Sequence, residues 1–182
     1  EHFRNLEKAV NNVRLLVRRI LSFGSSSGQK PKPVQVATVV RDTIKLVEPI
    51  IGPNIRTESL VQPDCLPVMA DSAQLEQVVL NLCTNAAQAM DAGGGTLRVE
   101  LSSCDIDIER ARSSTTLSPG VHVRLVVSDT GPGMDDATLA RIFDPFYTTR
   151  RQAGGTGLGL AIVHGIVTQL QGSVEVFSEP GK

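Results

Sequence analysis

The chain has 182 residues, 41% hydrophobic and 20% charged, with a formal net charge of −1. This is ordinary globular composition, sufficient for one mid-sized domain plus an appendage. The near-zero charge provides no field to draw in a phosphate backbone, which argues against nucleic acid as the main ligand.

No apolar run approaches the ~20 residues needed to span a bilayer. The opening EHFRNLEKAV is polar, with no signal-peptide core and no initiator Met, so the sequence reads as a cytoplasmic fragment of a longer protein. Cys65, Cys83 and Cys104 show no CxxC spacing. That speaks against a disulfide framework or a zinc site and suits a reducing compartment.

Residues 3 to 21 carry a heptad stripe: Phe3, Leu6, Val10, Val13, Val17 and Ile20 step by 3, 4, 3, 4, 3. Such a seam predicts a coiled-coil or bundle helix that must be covered by another helix. GSSSGQKPKP, 24 to 33, is a linker and the clearest domain boundary. Val34 to Val36 reads as a short strand, and Thr38 to Ile51 as an amphipathic helix stopped by Gly52 and Pro53. Asn54 to Val61 alternates like an edge strand, and Pro67 to Ala70 is a short apolar stretch.

Asp71 is a good N-cap for the next helix, with Gln74 at the capping-box position. Leu75, Val78, Val79, Leu82, Cys83, Ala86 and Met90 form its apolar stripe. Asn81, Asn85 and Gln88 fall at i, i+4 and i+7 on an adjacent face. The run 92 to 95, AGGG, ends the helix. Strands are expected at Thr96 to Ser102 and Val121 to Val127, joined by a long connection through CDIDIERARSSTTLSPG. Asp135 to Ile142 reads as a short helix and DPFYTTRRQAGG as a loop. Gly157 to Leu170 reads as an apolar helix and Ser173 to Phe177 as a strand.

Three stretches bring chemistry. Asparagine is mildly unfavourable inside a helix. An amide oxygen at Asn81 or Asn85 can serve as a neutral ligand for Mg²⁺, which takes few protein ligands beside waters and phosphate oxygens. Taken alone, the two amides fit backbone capping or solvent exposure better than a metal site. In VSDTGPGMD, Asp129 ends a strand, and Gly131 and Gly133 let backbone approach a ligand. A carboxylate there can accept from an exocyclic amine and so select adenine over guanine, although D-x-G also occurs in plain turns. GGTGLGLAIV leads into a helix, so free N–H groups and the helix dipole make an anion site, with the Thr156 hydroxyl beside it. It is neither a Walker A motif nor a GxGxxG dinucleotide fingerprint. Phe143 and Phe146 are expected to anchor a loop whose Thr149, Arg150 or Arg151 reaches the ligand when it closes.

Together and in this order, the segments resemble the ATP-binding domain of sensor histidine kinases, in the superfamily that includes gyrase, Hsp90 and MutL. QLEQVVLNLCTNAAQAM looks like the N box, VSDTGPGMD the first glycine box, IFDPFYTT the F box and GGTGLGLAIV the second glycine box. The resemblance spans roughly residues 34 to 179. It implies an α+β fold, a two-layer α/β sandwich with a mixed sheet covered by three helices on one face. It implies ATP and Mg²⁺ as cofactors, with Asn85 as the metal ligand and Asn81 near the phosphates. Asp129, Gly131 and Gly133 would hold the adenine. Gln88, Phe146, Thr149, Arg150, Gly155, Thr156, Gly157, Leu158 and Gly159 would complete the nucleotide site. The heptad helix, 1 to 23, then resembles the second helix of a dimerisation hairpin, followed by the linker and, from 34 to 182, a catalytic domain lacking its last strand.

By that resemblance the partners are the histidine phosphotransfer domain of the same protein, a response regulator receiver domain and, in the full protein, a second copy. The acceptor histidine is expected to be missing. His2 precedes one uninterrupted helical run and reads as a surface residue, while His122 and His164 read as core. Hydrolases of the superfamily place a Glu four residues before the metal-binding Asn. Asn81 stands there instead and cannot take a proton from water, which favours a kinase. Gln88 replaces a basic residue common among relatives. Two other readings are a degenerate nucleotide-binding scaffold and a serine kinase of the anti-sigma type.

Overall fold

The computed structural model describes residues 30–90, 93–114, 116–150 and 155–181. The chain divides into two units, Glu1–Pro31 and Lys32–Lys182. The expected heptad helix and most of the linker lie outside the described residues, as does Arg151. Among the described residues no helix is long and apolar enough to cross a membrane.

The second unit is an α/β sandwich. Strand β1 (Lys32–Val34) pairs antiparallel with β3 (Val68–Ala70). The main sheet has the order β2–β4–β5, formed by Ile55–Val61, Gly95–Ile106 and Gly120–Asp129. It is mixed: β2 runs parallel to β4 and β4 antiparallel to β5, with Leu97 opposite Asp129. A parallel pair needs a long crossover, and here it contains β3 and the central helix. Helix α1 is Val36–Val47, α2 is Ser72–Ala89, and α3, Ile108–Ser113, lies in the β4–β5 connection. The short helix α4 is Asp136–Leu139, and α5 is Gly159–Gln169.

The two periodicities explain the layering. Leu97, Val99 and Leu101 alternate onto one sheet face and are fully buried. Val36, Val40, Ile44 and Val47 of α1 and Val79, Cys83, Ala86 and Met90 of α2 pack on them in one cluster. A second cluster joins Val78 of α2 to Val163 and Ile166 of α5. Helix α2 is therefore the middle of three helices, with α1 on one side and α5 on the other.

Several expectations are corrected. Ser173–Phe177 has no regular secondary structure and pairs with no strand among the described residues, and Phe177 is 88% exposed. The stretch alternates, but alternation alone does not supply a neighbouring strand. The β4–β5 connection holds a helix turn capped by Asp107, which accepts from the Arg110 N–H. Asp71 caps α2 by accepting from the Ala73 N–H at 2.9 Å, as expected. Gln74 does not close a capping box; its amide donates to Gln169 Oε1 of α5 at 3.4 Å.

Burial in this core pushes the Cys83 thiol up to about 12 from 9.0. An unfolded chain ionises the thiol from about pH 9, while the folded protein keeps it neutral. Its contribution to stability is thus complete below pH 9 and is lost as pH rises toward 12. Between pH 9 and 11, urea unfolding should show the parent losing stability faster than Cys83→Ala, by up to about 1.4 kcal/mol per pH unit. Parallel pH curves would mean that the thiol titrates normally.

Candidate functional site

The sheet and the three helices bring two glycine-rich loops onto one helix. Asn81 is 1% exposed, and neither its Oδ1 nor its Nδ2 has a hydrogen-bond partner. An unpaired buried amide costs about 1–3 kcal/mol. The backbone at Gly159 lies against this amide and its neighbour. A methyl group added there would sit 3.3 Å from both amide atoms of Asn85 and 3.7 Å from Asn81 Oδ1. One helical turn beyond Asn85, Ala89 meets the other loop. A methyl group on Gly131 would lie 3.2 Å from Ala89 Cβ and 2.6 Å from Asp129 Oδ1. The expected site residues Asn81, Asn85, Asp129, Gly131 and Gly159 therefore converge on one side of α2.

Each group is held by local structure. Asp129 is the last residue of β5, and its Oδ1 accepts from the Gly131 N–H at 2.9 Å. That turn orients the carboxylate while its other oxygen stays available for a ligand. Thr130 braces the loop by accepting from the Thr96 N–H at 3.0 Å and donating to Met90 Sδ at 3.7 Å. Helix α5 begins without a side-chain cap. Its first intrahelical bond runs from the Ile162 N–H to the Leu158 carbonyl. The amides of 159 to 161 thus have no partner along the helix and, with the positive dipole end, suit an anion.

The loop after α4 differs from expectation. Phe143 is half-buried, its ring 5.1 Å from that of the exposed His164. Phe146 does not anchor the loop: it is 67% exposed, with φ at 67°. Its N–H instead donates to the Gly157 carbonyl at 2.9 Å, tying the loop to the second glycine-rich segment. Gly157 has φ at 66°, and a side chain there would run into the Phe146 backbone. Gly157 therefore shapes the loop junction, while Gly159 is the glycine that touches the asparagines. The Arg150 N–H donates to Thr148 Oγ1, and the Gly155 N–H to the Arg150 carbonyl. Thr149 and Gln88 are exposed, and Thr156 and Leu158 half-buried. His164 is exposed on α5 rather than in the core, and His122 is half-buried with Nδ1 on the Gly120 carbonyl.

Two other hollows exist. One of about 510 Å³ is lined by Arg110, His164 and Glu175 among others. The other, about 370 Å³, lies over Glu58, Arg98 and Ser128 and reaches Asp129 and Thr130. Neither includes Asn81 or Asn85, whose amides lie against the Gly159 backbone. Sequence reasoning missed Thr130 and Ser178, whose side chains hold the first glycine loop. Thr130 sits inside a motif singled out for its other residues, and Ser178 lies 44 residues from its partner, so no local pattern marks it.

Comparison with known proteins places this arrangement. Residues 70–182 match the family described as histidine kinase-, DNA gyrase B-, and HSP90-like ATPase. The chain is 36% identical over 180 residues to the sensor kinase CckA of Brucella abortus (strain 2308), covering 98% of this chain and 19% of that protein. It thus spans about a fifth of the length of that relative. The mycobacterial sensor histidine kinase MprB superposes with a TM-score of 0.59 at 32% identity, over 76% of this chain and 79% of that one. Full-length ShkA, solved in complex with AMPPNP, gives a TM-score of 0.54 at 26% identity, over 89% of this chain and 33% of that one.

If the orphaned amide is held for a ligand, the folded protein alone should gain by its removal. Asn81→Leu, which keeps the branching of the side chain, should raise the stability of the ligand-free protein by about 1–3 kcal/mol in urea unfolding. A loss of stability would mean that the amide has a structural partner.

Proposed function

Because the chain belongs to the histidine kinase-, DNA gyrase B-, and HSP90-like ATPase family, we propose that it is the ATP-binding catalytic portion of a cytoplasmic sensor histidine kinase. The observation that carries this reading is the buried, unpartnered Asn81 amide beside Asn85 and Gly159. A buried polar group left without a partner calls for an explanation, and a ligand that completes it supplies one.

The residues present suit Mg²⁺. Asn85 would hold the ion with Asn81 at its side, because neutral amide oxygens, waters and phosphate oxygens make up its preferred shell. When bound, the ion would neutralise charge on the phosphates. The chain itself does the rest. Asp129 accepts from the exocyclic amine of adenine. The uncapped amides of α5 take phosphate oxygens. Thr149, Arg150, Gly155 and Thr156 lie on the loop that would cover the phosphates and exclude water, with Phe146, Gly157 and Leu158 beside it, while Gly131 and Gly133 shape the loop that carries Asp129. Gln88, exposed on α2, is the weakest assignment on geometry. Asn81 stands where a general base would activate water, and an amide cannot accept that proton. The bound γ-phosphoryl is therefore kept for a histidine of the protein's own dimerisation domain, for relay to a response regulator receiver domain. Residues 1–23 would contribute the second helix of that domain, and the full protein would act as a homodimer. Similarity to the sensor kinase CckA and to the sensor histidine kinase MprB supports a histidine acceptor over serine.

Asp129→Asn should weaken ATP binding by about 1.5–3 kcal/mol, more than tenfold, through loss of a charged acceptor. Titration calorimetry reads this directly, and an unchanged affinity would overturn the adenine assignment. Asn85→Ala should abolish the magnesium dependence of ATP binding. An equal Mg²⁺ response in variant and parent would remove Asn85 as the ligand.

A further inference from the structure

The first glycine loop is pinned from outside by the end of the chain. Ser178 Oγ accepts from the Met134 N–H at 2.9 Å. The Gly181 N–H donates to the Pro132 carbonyl at 2.8 Å. Between them Gly133 takes φ of 70°, and a side chain on it would fall on the Glu179 carbonyl. Backbone thus touches backbone along 132–134 and 178–181. The clasp lies on the far flank of the same loop whose near flank carries Asp129 and Gly131.

This matters because a six-residue stretch with two glycines has little stiffness of its own. A carboxylate contributes to recognition only if it is held within about 0.5 Å of the productive position. The Gly131 turn and the Thr130 brace fix the start of the loop, at 129–131. The Ser178 hydroxyl fixes its end, at Met134.

We propose that Ser178 is a positioning residue for adenine recognition, acting through the Met134 N–H on the loop that carries Asp129. Its one hydrogen bond shown is to the loop backbone at Met134, so its effect is expected on the base half of the site. This rests on the reading of Asp129 as the adenine acceptor. The 173–181 segment is then part of the nucleotide site despite forming no strand.

The test measures ATP and Mg-tripolyphosphate affinity for the parent, Ser178→Ala, Ser178→Thr, Asp129→Asn and the double variant. Ser178→Ala should weaken ATP about five- to tenfold and leave tripolyphosphate unchanged. Ser178→Thr, which keeps the hydroxyl, should restore ATP affinity. In the Asp129→Asn background, Ser178→Ala should add no further loss, because both act on one interaction. Independent, additive losses would overturn the proposal, as would an equal fall in tripolyphosphate affinity, which would mark a general weakening of the fold. A loss of ATP affinity in Asp129→Asn with none in Ser178→Ala would overturn the role of Ser178 alone. No loss in Asp129→Asn would instead overturn the adenine reading beneath it.

Discussion

Helix α2 is met along one side by two stretches of backbone that carry no side chain. Gly159 abuts the amide of Asn85, and one turn later Gly131 abuts Ala89. A Cβ at Gly159 would meet Asn85 at 3.3 Å and one at Gly131 would meet Ala89 at 3.2 Å, so either contact would have to give by a few tenths of an ångström. The three-helix layer makes this possible. With α1 on one flank and α5 on the other, the central helix has its sheet face and one side committed to packing. The face bearing the asparagines is left to meet loops.

That face is costly to keep. Asn81 is as buried as the aliphatic core, yet its amide has no partner. Sites of this kind hold stability below its optimum in favour of binding. The polar group sits beside the uncapped start of α5, where three backbone donors are also unmet along the helix. Unsatisfied groups of both kinds, acceptor oxygens and donor amides, are gathered at one place. A ligand with a cation and phosphate oxygens answers both together.

The loops around the site are built from positive-φ junctions. Phe146 and Gly157, at φ of 67° and 66°, meet through one hydrogen bond. Gly133, at 70°, is locked by the carbonyl of Glu179. A non-glycine residue at positive φ is uncommon, and for a bulky side chain it stores strain of order 1–3 kcal/mol. Phe146 holds that conformation while exposing its ring, so the backbone, rather than aromatic burial, sets the shape of this loop. The expectation that Phe143 and Phe146 anchor the loop in the core fails for Phe146, and Phe143 is only half-buried.

Much was legible in the chain because it is written in local periods. The 3.6-residue stripe of α2 and the alternation in β2, β4 and β5 mark the helices and strands that carry the core. The Asn pair and the two glycine runs each have an ordinary explanation alone, and stand out because they occur together and in a fixed order. Their order along the chain was enough to point to the family that the comparisons then found. The strand expected at Ser173–Phe177 failed because pairing requires a neighbour at the right place, which alternation cannot report. The convergence of Gly159 and Gly131 on α2, the orphaned state of Asn81 and the grip of Ser178 on Met134 were decided by tertiary structure alone. Each depends on atoms tens of residues apart coming within a few ångströms, and no local pattern of residues encodes such a distance.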